Sequence, residues 1–145
     1  MVQREIQSVE VSCFIQATED EDRVTGNIRM SLGIDQAPEE ETLDGHFGNR
    51  ILRVRWHLTG EDGWRCFGAF VSLLGKEGRG ALLGDLSGHI DEHRALYVRL
   101  NKQALMAGRG EIADSDPVRV RVKPRSFMIR GDIQDFYAGL LKGGG

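Results

Sequence analysis

The sequence predicts an α+β fold, a mixed and largely antiparallel sheet with helices packed on one face. Three observations carry this expectation. Several segments alternate apolar and polar residues with period two, as half-buried strands do. Other segments repeat apolar residues every three to four positions, the mark of helices buried along one side. The two kinds mix without a regular βαβ alternation, and short turn-rich connections between strands favour hairpins. A chain of 145 residues, 40% hydrophobic and 28% charged, has the length and composition to bury such a core without staples.

The first strand is read in IQSVEVSCFIQA, where Val9, Val11 and Cys13 share one face and Ser8, Glu10 and Ser12 the other. A helix then opens in TEDEDRVTGNIRMSLG. Thr18 is its expected cap, with Glu21 completing a capping box, and Glu19 to Asp22 suit the positive end of the helix dipole. Its buried stripe is Val24, Ile28 and Leu32, and Gly33 is the expected stop. EETLDG reads as a short strand. After a glycine-flanked turn, RILRVRWHLTG alternates Leu52, Val54, Trp56 and Leu58 with Arg53, Arg55 and His57. Asp62 is the expected cap of a helix through WRCFGAFVSLLG, with Trp64, Phe67, Val71 and Leu74 inward. A loop and a second short helix around Ala81 to Leu86 account for the glycines of GKEGRGALLGDLSG.

HIDEHRALYVRLNKQ reads as a hairpin around Asp91 to Arg94, followed by a strand with Leu96, Val98 and Leu100 on one face and Tyr97, Arg99 and Asn101 on the other. ALMAG forms a helical turn. Pro117 opens the last strand, PVRVRVKP, with Val118, Val120 and Val122 inward. GDIQDFYAGLLK reads as a terminal helix with Ile133, Phe136 and Leu140 inward. The expected organisation is one α+β domain over residues 1–125, a C-terminal helical extension over 126–142 and a disordered tail at 143–145.

Several function classes are disfavoured. No apolar run approaches the roughly 18 residues of a membrane span, and the opening MVQREIQSVE is too polar for a secretory signal. Cys13 and Cys66 form no CxxC pair, so reduced thiols and a cytoplasmic address are expected. GKEGRG is not a phosphate-binding loop, because GxxxxGK must be followed by Ser or Thr. HIDEH lacks the HExxH order of a zinc site, and no GxSxG elbow occurs. The motifs therefore point to no cofactor, no metal and no catalytic residue.

Charge is more informative. The net charge of −3 conceals three basic and eleven acidic residues through Gly48, against sixteen and eleven after it. RILRVRWH, YVRLNKQ and PVRVRVKPR all alternate apolar and basic residues. Brought together in one sheet, Arg53, Arg55, Arg99, Arg119, Arg121 and Lys123 would form a basic surface. Phosphates are attracted to such a surface, and guanidinium groups also stack on exposed bases.

The stretches ATED (Ala17 to Asp20), GHFGNRI (Gly45 to Ile51), YVRLNKQALMAG (Tyr97 to Gly108) and DPVRVRVK (Asp116 to Lys123) together resemble an archaeal family. It is the RNA-binding-domain proteins labelled predicted exosome subunits. The resemblance runs from Ile6 to about Lys123. It implies a small α+β domain similar to the ribosomal protein that binds 5S rRNA, often dimeric, acting as a non-enzymatic RNA-binding accessory in archaeal RNA processing or exosome-mediated degradation. Its members usually carry Asp where this chain has Asn101. It pairs the GHxGN and RLxKQ stretches, so His46 is expected to latch onto the RLNKQ segment.

The candidate RNA contacts are then Arg53, Arg55, Arg99 and Lys102 on the backbone, with Arg119, Arg121 and Lys123 beside them. His46, Asn49 and Gln103 would add hydrogen bonds. Two alternatives stay open. One is a dimeric structural or protein-interaction module without direct RNA contact, whose partner is itself or another protein, the exosome or other RNA-processing proteins among them. The other, ranked last, is an enzyme on RNA ends with His46 as acid or base and Arg50 on phosphate.

Overall fold

The computed structural model describes residues 5–45, 48–125 and 131–143. Its core element is β1 (Ile6–Gln16), which lies at the centre of a five-stranded sheet in the order β2 (Glu39–Asp44), β3 (Arg50–Thr59), β1, β5 (Pro117–Pro124), β4 (Leu96–Asn101). Every neighbouring pair is antiparallel. The expected alternation holds on all four long strands. Val9, Val11, Cys13 and Ile15, then Val54, Trp56 and Leu58, Val118, Val120 and Val122, and Leu96, Val98 and Leu100 are all buried. Each such side chain contributes about 1.5–3 kcal/mol relative to exposure. A register irregularity between Ile6 and Ser8 tucks Ser8 in although it sits on the polar side.

The helices lie against the apolar face. In α1 (Glu21–Ser31), Val24 and Ile28 are buried, and Leu32 just past its end is too. The cap is Asp20, whose carboxylate accepts from the Arg23 amide at 3.2 Å. Thr18, the expected cap, stands two residues too early to face the free amides. Glu19 instead accepts from the Gln16 amide at 2.9 Å.

α2 (Gly60–Leu83) begins two residues before Asp62, so Asp62 lies in its first turn and pairs with Arg65 at 3.4 Å. Cys66, Phe67, Phe70, Val71 and Leu74 are buried against β1 and β3, while Trp64 is only partly covered. The expected break falls at Gly75, whose non-helical backbone (φ 66°, ψ −175°) separates two helical segments at a kink. The second segment ends at Leu83, so the short helix expected around Ala81 to Leu86 lies earlier in the chain, and a 3₁₀ turn, Leu86–His89, follows it.

The Asp91–Arg94 turn is closed by an Ile90–Leu96 bridge, with the Asp91 carboxylate accepting from the amides of His93 and Ala95. α3 (Lys102–Met106) is capped by Asn101, which accepts from the Ala104 amide at 2.9 Å. Residues Glu111 to Ala113 cover the outer edge of β4 through main-chain hydrogen bonds. In α4 (Ile133–Gly143) the fully buried side chains are Tyr137 and Leu141, with Ile133, Phe136 and Leu140 only partly covered. The buried face is turned by one residue because Tyr137 donates its hydroxyl to the Arg94 carbonyl at 2.6 Å, filling the core while satisfying its polar end. No helix among the described residues is long and apolar enough to cross a membrane.

Candidate nucleic-acid interface

Opposite the helices, the sheet presents its polar side chains, and the three basic strand faces meet there. The register defines a row running Arg55, Ser12, Arg119, Arg99 across β3, β1, β5 and β4. Arg53 stands beside Phe14, Arg121 beside Tyr97, and Lys123 beside Ser8. Neighbouring strands lie about 4.8 Å apart, so these cations share one surface.

That surface is not uniformly positive. Arg53 faces Glu41 at 3.7 Å, and Arg55 faces Glu39 at 3.0 Å and Glu10 at 3.9 Å. Arg121 meets Asp91 at 3.2 Å and Arg99 meets Asp114 at 3.7 Å. Two of these pairs have visible electrostatic signatures. The hydrogen bond to Glu39 raises the pKa of Arg55. Burial favours the neutral form of Asp91, but the amides of Ala95 and His93, with Arg121, outweigh it and hold its carboxyl below the usual range. Among the described residues, Arg119 and Lys123 have no carboxylate partner within ion-pair distance. The acidic first third of the chain thus lies partly on the same face as the basic strands, which sequence counts alone do not reveal.

Arg119 also has an aromatic neighbour. Its guanidinium lies 5.6 Å from the centre of the Phe14 ring, and Arg99 lies 5.2 Å from that of Tyr97. Both distances suit cation–π contacts. Phe14, Arg119, Arg53, Ser12 and Cys13 line a shallow depression of about 270 Å³. The Cys13 thiol points to the buried side of the sheet, where burial pushes it up to about 12.

The remaining candidates scatter. Lys102 does not offer its charge to solvent: its side chain is 2% exposed. Its ammonium donates to the Phe14 carbonyl at 2.6 Å, to Glu19 at 3.1 Å and to Asp116 at 2.9 Å. Burial alone would lower its pKa, but the hydrogen bonds it donates to Asp116 and Glu19 reverse that and raise it. A lysine with three oxygen partners in a covered site is committed to architecture. Gln103 is exposed on α3, away from that latch.

Asn49 is exposed, and its carbonyl accepts from the Gly45 amide to close the turn before β3. A side chain at Gly45 would collide with that carbonyl, and Gly48 takes a left-handed φ of 75°. His46 lies outside the described residues. What does engage the RLNKQ segment is Glu19 from ATED, with Asp116 from DPVRVRVK.

Of the other histidines, His57 is exposed on the open face and His89 is bonded through Nδ1 to the Tyr97 carbonyl at 3.0 Å. Among the described residues, no three His, Cys, Asp or Glu side chains gather to hold a metal ion. Phe14 went unnoticed in the sequence. Its signal was an aromatic ring on the outward side of a strand that otherwise carries Ser8, Glu10 and Ser12 there.

Comparison with known proteins adds the family context. The sequence profile of a family described as RNA binding matches residues 8–124. An uncharacterised protein of Methanocaldococcus jannaschii is 27% identical over 120 residues, covering 78% of this chain and 80% of its own. Two solved structures share the fold. A DUF54 protein from Methanothermobacter thermautotrophicus superimposes with a TM-score of 0.75 at 22% identity, over 97% of this chain and 98% of its own. A protein from Archaeoglobus fulgidus gives 0.79 at 24% identity, over 94% and 99%.

Proposed function

The chain belongs to this RNA-binding family, matched from residue 8 to residue 124, and on that premise we propose that it binds RNA on the open face of its sheet. The observation that carries the reading is Arg119. It lies mid-row among the strand cations, has no carboxylate partner among the described residues, and is flanked by Phe14 and Arg99. Arg53, Arg55 and Arg99 join by exchanging an exposed carboxylate for a phosphate, while Arg121 keeps its half-buried pair with Asp91. Such an exchange is easy, because exposed pairs contribute only about 0–1 kcal/mol. Lys123 adds charge at the edge of the face. Lys102 acts by holding the backbone of Phe14.

The role is binding without catalysis. Service as an accessory in archaeal RNA processing or exosome-mediated degradation, and homodimerisation, rest on the family resemblance alone. Sedimentation and co-purification are their measurements. The direct test is titration of structured and single-stranded RNA at low salt with the wild type, Arg119→Glu and, as a control away from the face, Arg65→Glu. Binding lost in Arg119→Glu and kept in the control is expected. No binding by the wild type, or equal loss in both variants, refutes the assignment.

A further inference from the structure

The open face carries two aromatic rings, each under an arginine, and this combination suits unpaired bases better than a duplex. Resting on the RNA reading above, we infer that Phe14 and Tyr97 are stacking platforms for unpaired nucleobases, so that the ligand is a single-stranded segment or loop. Both rings project from the open side of the sheet and are half-buried, and Phe14 lines its depression together with Ser12, Arg53 and Arg119. Phe14 is further fixed from behind, since its carbonyl takes the Lys102 ammonium.

The rings do not stand alone. Between them runs the row Arg119, Arg99, which is where a backbone passing from one platform to the other would place phosphate. From the register, Tyr97 pairs with Arg121, level with Glu10, four residues along from Phe14 and two strands over. With strand rise and spacing this separates the platforms by roughly 16 Å, room for a short run of nucleotides and too far for two adjacent stacked bases.

A guanidinium over an exposed ring is a weaker contact than a base stacked on it. An incoming base therefore displaces the arginine, which turns to the adjacent phosphate. A duplex has no such use for the rings, because its bases are already stacked and A-form helices are read by shape and backbone.

The test compares a labelled adenine-rich single strand of about ten nucleotides with the same sequence in a blunt duplex, by fluorescence anisotropy. Phe14→Leu and Tyr97→Leu keep apolar bulk and remove the ring. Phe14→Tyr and Tyr97→Phe keep the ring, and thermal melts check that all four variants fold.

The single strand is expected to bind at least about tenfold tighter than the duplex. Each leucine variant should weaken it by about five- to a hundredfold, with duplex binding unmoved and the ring-keeping variants close to wild type. Duplex binding as tight as the single strand, or leucine variants that bind like wild type while Arg119→Ala weakens RNA, overturns the stacking assignment and leaves the RNA reading intact. Wild type that binds neither RNA overturns both.

Discussion

Lys102 shows how far a residue's role depends on where its neighbours fold. In sequence it is one more cation in a basic strand-to-helix segment. In the structure it is buried among the Phe14 carbonyl and Glu19, more than 80 residues before it, and Asp116, 14 residues after it. Removing one partner of a fully enclosed ion pair costs roughly 3–5 kcal/mol. Here Asp116 is half-exposed, so Lys102→Met should cost about 2 kcal/mol in urea unfolding, with the apolar stem retained. A loss below about 0.5 kcal/mol would mean that the latch is incidental.

Period-two alternation assigned Arg53, Arg55, Arg99, Arg119, Arg121 and Lys123 to one side of their strands correctly. It was silent on which carboxylates from other elements would sit opposite them, because partners such as Asp91–Arg121 and Glu39–Arg55 are set by strand order. Phe14 was legible in principle, as the odd ring on a polar stripe, but its arginine comes from β5 more than 100 residues later.

At the scale of elements, Asn101 explains a departure from the family pattern. It caps α3 at the point where β4 ends, and Asp and Asn are nearly equivalent caps. Asn101→Asp should therefore leave the melting temperature almost unchanged, whereas Asn101→Ala should cost about 1 kcal/mol. Equal losses in both variants would remove capping as the reason for the residue.

The strands were the most readable elements, since alternation over six to eleven residues leaves few competing registers. Helix ends were less so. Asp20 and Thr18 are both good caps by type, and only the direction in which the chain leaves β1 decides between them. Gly75 signalled the break, yet not that a second helical segment follows it directly across a kink. In α4 the buried face turned by one residue, toward a tyrosine whose hydroxyl found two carbonyls.

For the whole molecule, two buried thiols link stability to alkaline pH. Burial raises both Cys13 and Cys66 from the ordinary 9.0 to about 12. Above pH 9 the unfolded chain loses these protons while the folded one keeps them. Stability is therefore full below pH 9 and falls as pH rises toward 12, by about 1.4 kcal/mol per pH unit for each thiol. The raised Lys102 ammonium adds to the loss above its ordinary 10.5. Urea midpoints from pH 8 to 11 should show this decline, and a Cys13→Ala, Cys66→Ala double variant should flatten most of it. An equal slope in that variant would assign the effect to other groups.

The central claim concerns the open face as a whole, and its most direct measurement is the salt dependence of RNA affinity. If all six strand cations neutralised phosphates, log K against log salt would fall with a slope of about −4 for a single strand. Arg119 and Lys123 alone would give about −1.4. With Arg53, Arg55 and Arg99 exchanging their exposed carboxylates for phosphate as well, the expected slope is about −3.5, reduced by about 0.7 in Arg119→Ala. A slope of about −1.4 or shallower, one that Arg119→Ala leaves unchanged, or no binding at any salt, would contradict this.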